Sequence, residues 1–172
     1  MNVTEKTPQQ GFSCGVLTVS DKGSQGKRQD TSGPAIVEML ESTGLAVIAR
    51  AIVPDREAAV RETLLQWVDH LGLDLVVTTG GTGVAPSDLT PEATRRVLDR
   101  EVPGISEAMR RASLEKTPHA MLSRGLAGIR KNSLMINLPG SERAVRENLA
   151  VVLAALPHAL AKIRGDAADC GG

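Results

Sequence analysis

A chain of 172 residues with no break in composition is long enough for one domain that buries roughly two thirds of the surface its unfolded chain exposes. Its 20 Lys and Arg residues balance 20 Asp and Glu, which excludes broad electrostatic attachment to nucleic acid or to an anionic membrane and leaves any anionic ligand to be held locally. With one Trp, one Phe and no Tyr, the core is expected to be aliphatic, and the aromatic stacking platforms of single-strand binders are excluded.

In chain order, residues 1–11 read as a flexible tail, 12–165 as one domain, and 166–172 as a second flexible tail. The opening MNVTEKTPQQGF carries Glu5 and Lys6 and no apolar stretch, so neither a signal peptide nor a membrane span is expected and the location is read as cytoplasmic. Asn2-Val3-Thr4 is then a chance sequon, and Cys14 and Cys170, which lack metal-ligand spacing, are expected to be reduced.

Short apolar runs at 15–20, 45–53, 73–79 and 134–138 alternate with longer amphipathic segments. That alternation predicts β-α-β units: an α/β three-layer sandwich with a mostly parallel sheet flanked by helices. Ser32-Gly33-Pro34 opens a helix that carries Ile36, Val37 and Leu40 and stops at Gly44. After Pro54-Asp55, Val60, Leu64, Trp67, Val68 and Leu71 form the apolar stripe of a second crossover helix that ends at Gly72. Thr90-Pro91 predicts a helix with Thr90 as its N-cap, and Pro103 begins the next. Residues 126–138 read as a short β-hairpin around Lys131-Asn132-Ser133, and the last helix, from Ser141, is expected to kink or divide at Pro157.

In open α/β sheets, ligands bind beyond the carboxyl ends of the strands, which directs attention to Ser20-Asp21, Pro54-Asp55, the loop from Gly80 to Asp88, and Pro139-Gly140-Ser141. In TTGGTGVAPSDLTPEA the glycines Gly80, Gly81 and Gly83 let backbone N–H groups converge on a phosphate, with Thr79, Thr82 and Asp88 alongside. A plain tight turn is the alternative. The loop lacks the Lys-Ser or Lys-Thr of a Walker motif and the third glycine of a dinucleotide fingerprint. Asp55 reads either as the N-cap of the following helix or as a site carboxylate, while Asp88 is left free if Thr90 is the cap. Two carboxylates beside a phosphate imply a divalent cation between them, magnesium. Gly140-Ser141 either presents a helix N-terminus to an anion or simply caps that helix, and the fork of Arg124, next to Ser123, either holds phosphate or is solvated. Gly11-Phe12-Ser13-Cys14-Gly15 spells a nucleophile elbow but precedes the first strand, and His70, His119 and His158 have no zinc spacing.

Together VSDKGSQGKRQDTSG, VPD, TTGGTGVAPSDLTPEAT, AMLSRGLAGIRKNSLMINLPGS and PHALAKI resemble the molybdopterin adenylyltransferase family of MogA and MoaB type over residues 14–165. The resemblance implies an α/β domain that binds molybdopterin and ATP with Mg2+ and transfers AMP to the molybdopterin terminal phosphate, releasing pyrophosphate. It also implies a homotrimer, with a hexamer as the alternative assembly, and a molybdate-insertion enzyme as partner. By the same analogy Asp55 and Asp88 are the catalytic carboxylates and candidate metal ligands. Gly80, Gly81, Thr82 and Gly83 look like ligand-binding backbone, Ser123, Gly140 and Ser141 like lining of the same pocket, and Ser20 and Asp21 like its rim. Lys22 stands where many members have Arg, and Val84-Ala85-Pro86-Ser87 carries no basic residue, as in MoaB-type members. A MoaB-type paralogue that binds molybdopterin without catalysis, and a competence-damage-type nucleotide-processing domain, are the alternatives.

Overall fold

The computed structural model describes residues 11–166, so Cys170, the sequon and nearly all of both expected tails lie outside the described residues. Six strands form one sheet: β1 (Ser13–Val19), β2 (Ala46–Val53), β3 (Leu75–Thr79), β4 (Arg100–Glu101), β5 (Ala127–Arg130) and β6 (Ser133–Leu138). Their order is β2-β1-β3-β6-β5-β4. The first four in that order are parallel, and the β5–β6 hairpin and β4 run antiparallel, as the apolar runs and the Lys131-Asn132 turn predict for all but β4. Lys131 takes the left-handed conformation at φ 49°.

Helices cover both faces. α2 (Ser32–Glu41), α5 (Pro103–Leu114), α6 (Glu142–Val152) and α7 (Leu156–Ile163) bury Ile36, Leu40, Met109, Leu149 and Leu156 against Val16, Val77 and Ile136. On the other face α3 (Glu57–Leu65) and α4 (Thr90–Arg95) bury Val60, Leu64 and Ala93 against Leu17, Val76 and Met135. Consecutive strand residues thus serve opposite layers, as the pleat requires. Trp67 joins the second layer because Gly15 leaves room for its ring: a Cβ there would lie 2.6 Å from Trp67 Cε3. The run Glu142–Ile163 is long and apolar enough to cross a membrane by length and composition, but its Val145, Leu149, Val152, Leu156 and Leu160 belong to the core.

The structure corrects several local expectations. Gln66–His70 is a π-turn, closed by Leu71 N–H donating to the Gln66 carbonyl, and the extra residue in that turn rotates Leu71 out of the predicted apolar stripe to 53% exposure. The expected break at Pro157 is present, and the last helix divides there through a 3-10 turn at Leu153–Ala155. Leu89, not Thr90, precedes α4, because Thr90 N–H donates to the Gly81 carbonyl at 3.1 Å and Thr90 is already helical. The one-turn helix α1 (Asp21–Ser24), capped by Ser20, and the two-residue β4 carry too little pattern to be read from sequence.

The lower end of the sheet is pinned by an ion pair. Asp74, 5% exposed, accepts from Ser13 N–H and hydroxyl and from both arms of the Arg164 fork, which also lies over the Phe12 ring. Burial pushes the Asp74 carboxyl up, but the Arg164 and Ser13 hydrogen bonds outweigh it and hold the group below its ordinary range. A carboxylate lowered in the folded state contributes stability that is present above about pH 4 and is lost as pH falls through the lowered value. Arg164→Met is therefore expected to cost about 2–3 kcal/mol at pH 7 by leaving a buried charge unpaired. Urea midpoints at pH 7 and pH 3 check this: the variant loses less between the two than the wild type does. The Cys14 thiol, pushed up to about 12 by burial and then by Asp74, stays protonated and inert in the folded protein.

Candidate active site

The strand order reverses at β1, with β2 on one side and β3 on the other, so the loops after β1 and β3 part and open a crevice at the carboxyl edge of the sheet. Two adjoining cavities occupy it. The first, about 460 Å³, is lined by Ser20, Asp55, Thr79, Gly80, Gly81, Gly140 and Ser141, together with Thr18, Arg28, Asp30 and Ser32. The second, about 350 Å³, is lined by Gly81, Thr82, Gly83, Asp88, Ser123, Gly140 and Ser141, together with His119 and Leu122. Gly81, Gly140 and Ser141 form the shared wall. Of the residues singled out from sequence as site residues, Asp21 and Arg124 line neither cavity; Asp21 stands at the rim in contact with Asp55.

The wall is built by close backbone approach. Gly80 and Gly81 take φ 94° and 63°, and a Cβ on Gly140 would sit 3.4 Å from Gly80 Cα, so the loops after β3 and β6 approach closely where glycine faces glycine. Thr79 hydroxyl donates to the Pro139 carbonyl at 2.6 Å and Gly80 N–H to the Leu138 carbonyl at 3.3 Å, which fixes the two strand ends together. Ser141 caps α6 by accepting from Ala144 N–H at 3.3 Å, and the positive end of this 11-residue helix points at the shared wall. Across the cavity, Ser32 at the start of α2 donates to the Gly140 carbonyl at 2.8 Å.

The carboxylates are held by backbone. Asp55 does not cap α3; Arg56 precedes that helix without a side-chain cap. Instead Asp55 Oδ2 accepts from Asp21 N–H at 2.6 Å while Asp21 Oδ1 accepts from Asp55 N–H at 3.0 Å, a reciprocal clasp between the β1 and β2 loops. Burial, and beyond it the negative charges of Asp21 and Asp88, hold the Asp55 carboxyl above its ordinary range despite the Asp21 N–H. Asp88 Oδ2 accepts from Ala85 N–H at 2.8 Å and would meet a Cβ on Gly83 at the same distance, so it folds back against its own loop. Asp55 thus stands beside Gly81 in the first cavity and Asp88 beside Gly83 in the second.

Arg124 is not a phosphate fork. Its Nε donates to the Gly83 carbonyl at 2.6 Å, its Nη2 to the Asp88 carbonyl and its Nη1 to Glu92, so the guanidinium is consumed in bracing the glycine-rich loop. The free cation in the first cavity is Arg28, which makes no hydrogen bond or ion pair within the described residues. It was missed in the sequence because a single Arg in a polar loop has no distinguishing pattern. Thr18, Asp30 and Ser32 were missed as well. Asp30 accepts from Thr18 hydroxyl at 2.8 Å and from Gly33 N–H at 2.9 Å, and the signal was the string Asp30-Thr31-Ser32-Gly33 at a helix start.

Among the described residues no three His, Cys, Asp or Glu side chains gather as a metal site. Two carboxylates beside an anion nest instead suit a cation that brings its remaining ligands from phosphate and water, which is how magnesium enters nucleotide sites.

Residues 15–158 match the family described as "Probable molybdopterin binding domain". The chain is 44% identical over 159 residues to a molybdopterin adenylyltransferase of Helicobacter pylori strain J99, covering 91% of this chain and 90% of that one. It is 49% identical over 159 residues to gephyrin of Dictyostelium discoideum, covering 87% of this chain but 22% of gephyrin, and it spans 26% of the cinnamon protein of Drosophila melanogaster. This chain therefore accounts for about a quarter or less of those two relatives. The crystal structure of the molybdopterin biosynthesis enzyme MoaB from Thermus thermophilus superposes with a TM-score of 0.85 at 54% identity, covering 90% of this chain and 97% of that one. Matching family, sequence and fold over the region that builds the two cavities, the chain belongs to the molybdopterin-binding domain family of MogA and MoaB type.

Proposed function

We propose that the chain is a molybdopterin adenylyltransferase that joins the AMP part of Mg-ATP to the terminal phosphate of molybdopterin and releases pyrophosphate. The observation that carries this reading is the pair of cavities meeting at one wall of backbone N–H groups and a helix N-terminus. Two ligands can each fill one cavity and meet there.

The chemistry needs little from the protein beyond placement. An oxygen of the molybdopterin phosphate, already anionic, attacks the α-phosphorus of ATP, and the bond from that phosphorus to the bridging oxygen of the β-phosphate breaks, so pyrophosphate departs with its electron pair. No proton has to be removed first, which fits a site without a base-activated nucleophile. Gly81, Thr82, Gly83 and the α6 terminus supply donors to the phosphates, and Arg28, lining the first cavity, would offset the charge of the departing anion. Asp55 and Asp88 would hold magnesium, which supplies neutralisation of the phosphate charge when bound.

A homotrimer, a cytoplasmic location and hand-over to a molybdate-insertion enzyme belong to the same proposal; light scattering at three times the chain mass is the expected result for the first. The alternative, molybdopterin binding without transfer, is favoured by one feature: Val84-Ala85-Pro86-Ser87 before Asp88 carries no basic residue. Pyrophosphate release from purified protein with ATP and Mg2+, with and without molybdopterin, separates the two. Release that depends on molybdopterin supports transfer, and molybdopterin bound without release supports the inactive paralogue.

A further inference from the structure

Two buried side-chain polar atoms among the described residues have no hydrogen-bond partner, Thr90 Oγ1 and Glu92 Oε2, and both lie in the first turn of α4 behind the glycine-rich loop. Buried polar groups are nearly always paired, so an orphan in that position points to an interaction the structure has yet to make. Glu92 already gives its other oxygen to Arg124, whereas Thr90, 1% exposed, makes no side-chain hydrogen bond at all.

The surroundings of the Thr90 hydroxyl name its partner. It touches the place where a Gly81 Cβ would sit, and Asp55 Oδ1 lies 3.4 Å from that same place. Asp55 spends Oδ2 on Asp21 N–H and has no donor on Oδ1. An unpaired donor and an unpaired acceptor thus face each other across a residue that has no side chain. Gly81, at φ 63°, provides both the gap and the backbone freedom to narrow it.

We propose that Thr90 is a positioning residue for Asp55: when the glycine-rich loop closes on its ligand, the Thr90 hydroxyl donates to Asp55 Oδ1 and fixes the direction of that carboxylate. The inference rests on the adenylyl-transfer reading in taking Mg-ATP as the ligand. A hydroxyl left unpaired in the free protein and paired in the loaded one strengthens ligand binding without stabilising the empty site.

Thr90→Val and Thr90→Ser, compared with the wild type, test it through melting temperature, the rise in melting temperature with Mg-ATP, and the rate of pyrophosphate release. Thr90→Val removes a buried unpaired hydroxyl at nearly constant volume. The ligand-free protein is therefore expected to melt at the wild-type temperature or above it, with a smaller Mg-ATP shift. Its kcat/KM for ATP is expected to fall by about 10- to 100-fold, the usual effect of a lost hydrogen bond to a charged group, with a raised KM carrying most of the loss in keeping with the smaller Mg-ATP shift. Thr90→Ser restores the hydroxyl and is expected to recover most of the shift and the rate. A Thr90→Val protein with the wild-type shift and rate, or a Thr90→Ser protein as impaired as Thr90→Val, overturns the role. If the wild type releases no pyrophosphate the transfer reading fails, and the Mg-ATP shifts of the three proteins still decide Thr90: an equal shift in all three, or none in any, overturns it.

Discussion

Asp88→Asn is expected to keep the fold and to lower the rate of pyrophosphate release by about 100- to 1,000-fold, the loss typical of removing one charge-stabilising group from a transfer site. Asp88 is half-buried, and its carboxylate does two things. One oxygen closes the Ala85–Asp88 turn by accepting from Ala85 N–H at 2.8 Å, and the negative charge faces the second cavity. Asn keeps an acceptor oxygen of the same shape, so the turn survives and the melting temperature is expected to stay within a few degrees of wild type. What is lost is the charge that would hold a cation against the phosphates. Asp88→Ala, which also opens the turn, is expected to lose activity and some stability together. A wild-type rate in Asp88→Asn would remove Asp88 from the role assigned to it.

The second large effect is structural and falls at the neighbouring strand end. Gly80→Ala places a Cβ at φ 94° well inside contact with the Val19 carbonyl, a backbone atom of β1 that cannot swing aside. Left-handed strain and this clash together are expected to cost about 3 kcal/mol or more, a fall of roughly 6–12 °C in melting temperature for a domain of this size. Because Gly80 also faces Gly140 across the shared wall, the variant is expected to lose Mg-ATP binding even at temperatures where it remains folded. A melting temperature and Mg-ATP shift equal to wild type would mean that the two loops have slack the structure does not show.

These effects trace to features that sequence reveals unevenly. The parallel strands, the hairpin and the break at Pro157 were legible because apolar runs, glycines and prolines act locally. The π-turn at Gln66–His70 was not: Val60, Leu64, Trp67 and Val68 fit a regular helical stripe, and only the outward rotation of Leu71 betrays the extra residue. β4 was not legible either, since Arg100 and Glu101 are two exposed charged residues placed by pairing with β5.

The site shows the same division. Glycines in a row after a strand announce a nest, and Pro-Asp after another announces a carboxylate at the same edge. What local pattern cannot supply is which competing partner wins. An Asp before a helix has an excellent N-capping role available, yet Asp55 is taken by the N–H of Asp21, 34 residues earlier in the chain. An Arg beside a phosphate loop has an anion-binding role available, yet Arg124 is taken by the carbonyls of the loop itself. Thr90 looked like a cap and instead lies buried beneath Gly81. In each case a longer-range contact displaced the local one, and Arg28, which lines the first cavity without a partner among the described residues, comes from a polar loop with no pattern to mark it.

The most direct test of the central claim follows the label from ATP carrying 32P at the α-position, incubated with the purified chain, Mg2+ and molybdopterin. Adenylyl transfer predicts that the label appears on molybdopterin in step with unlabelled pyrophosphate, and that both vanish in Asp88→Asn. Label that stays on ATP while molybdopterin is bound would contradict the transfer reading and leave the chain as a binding protein.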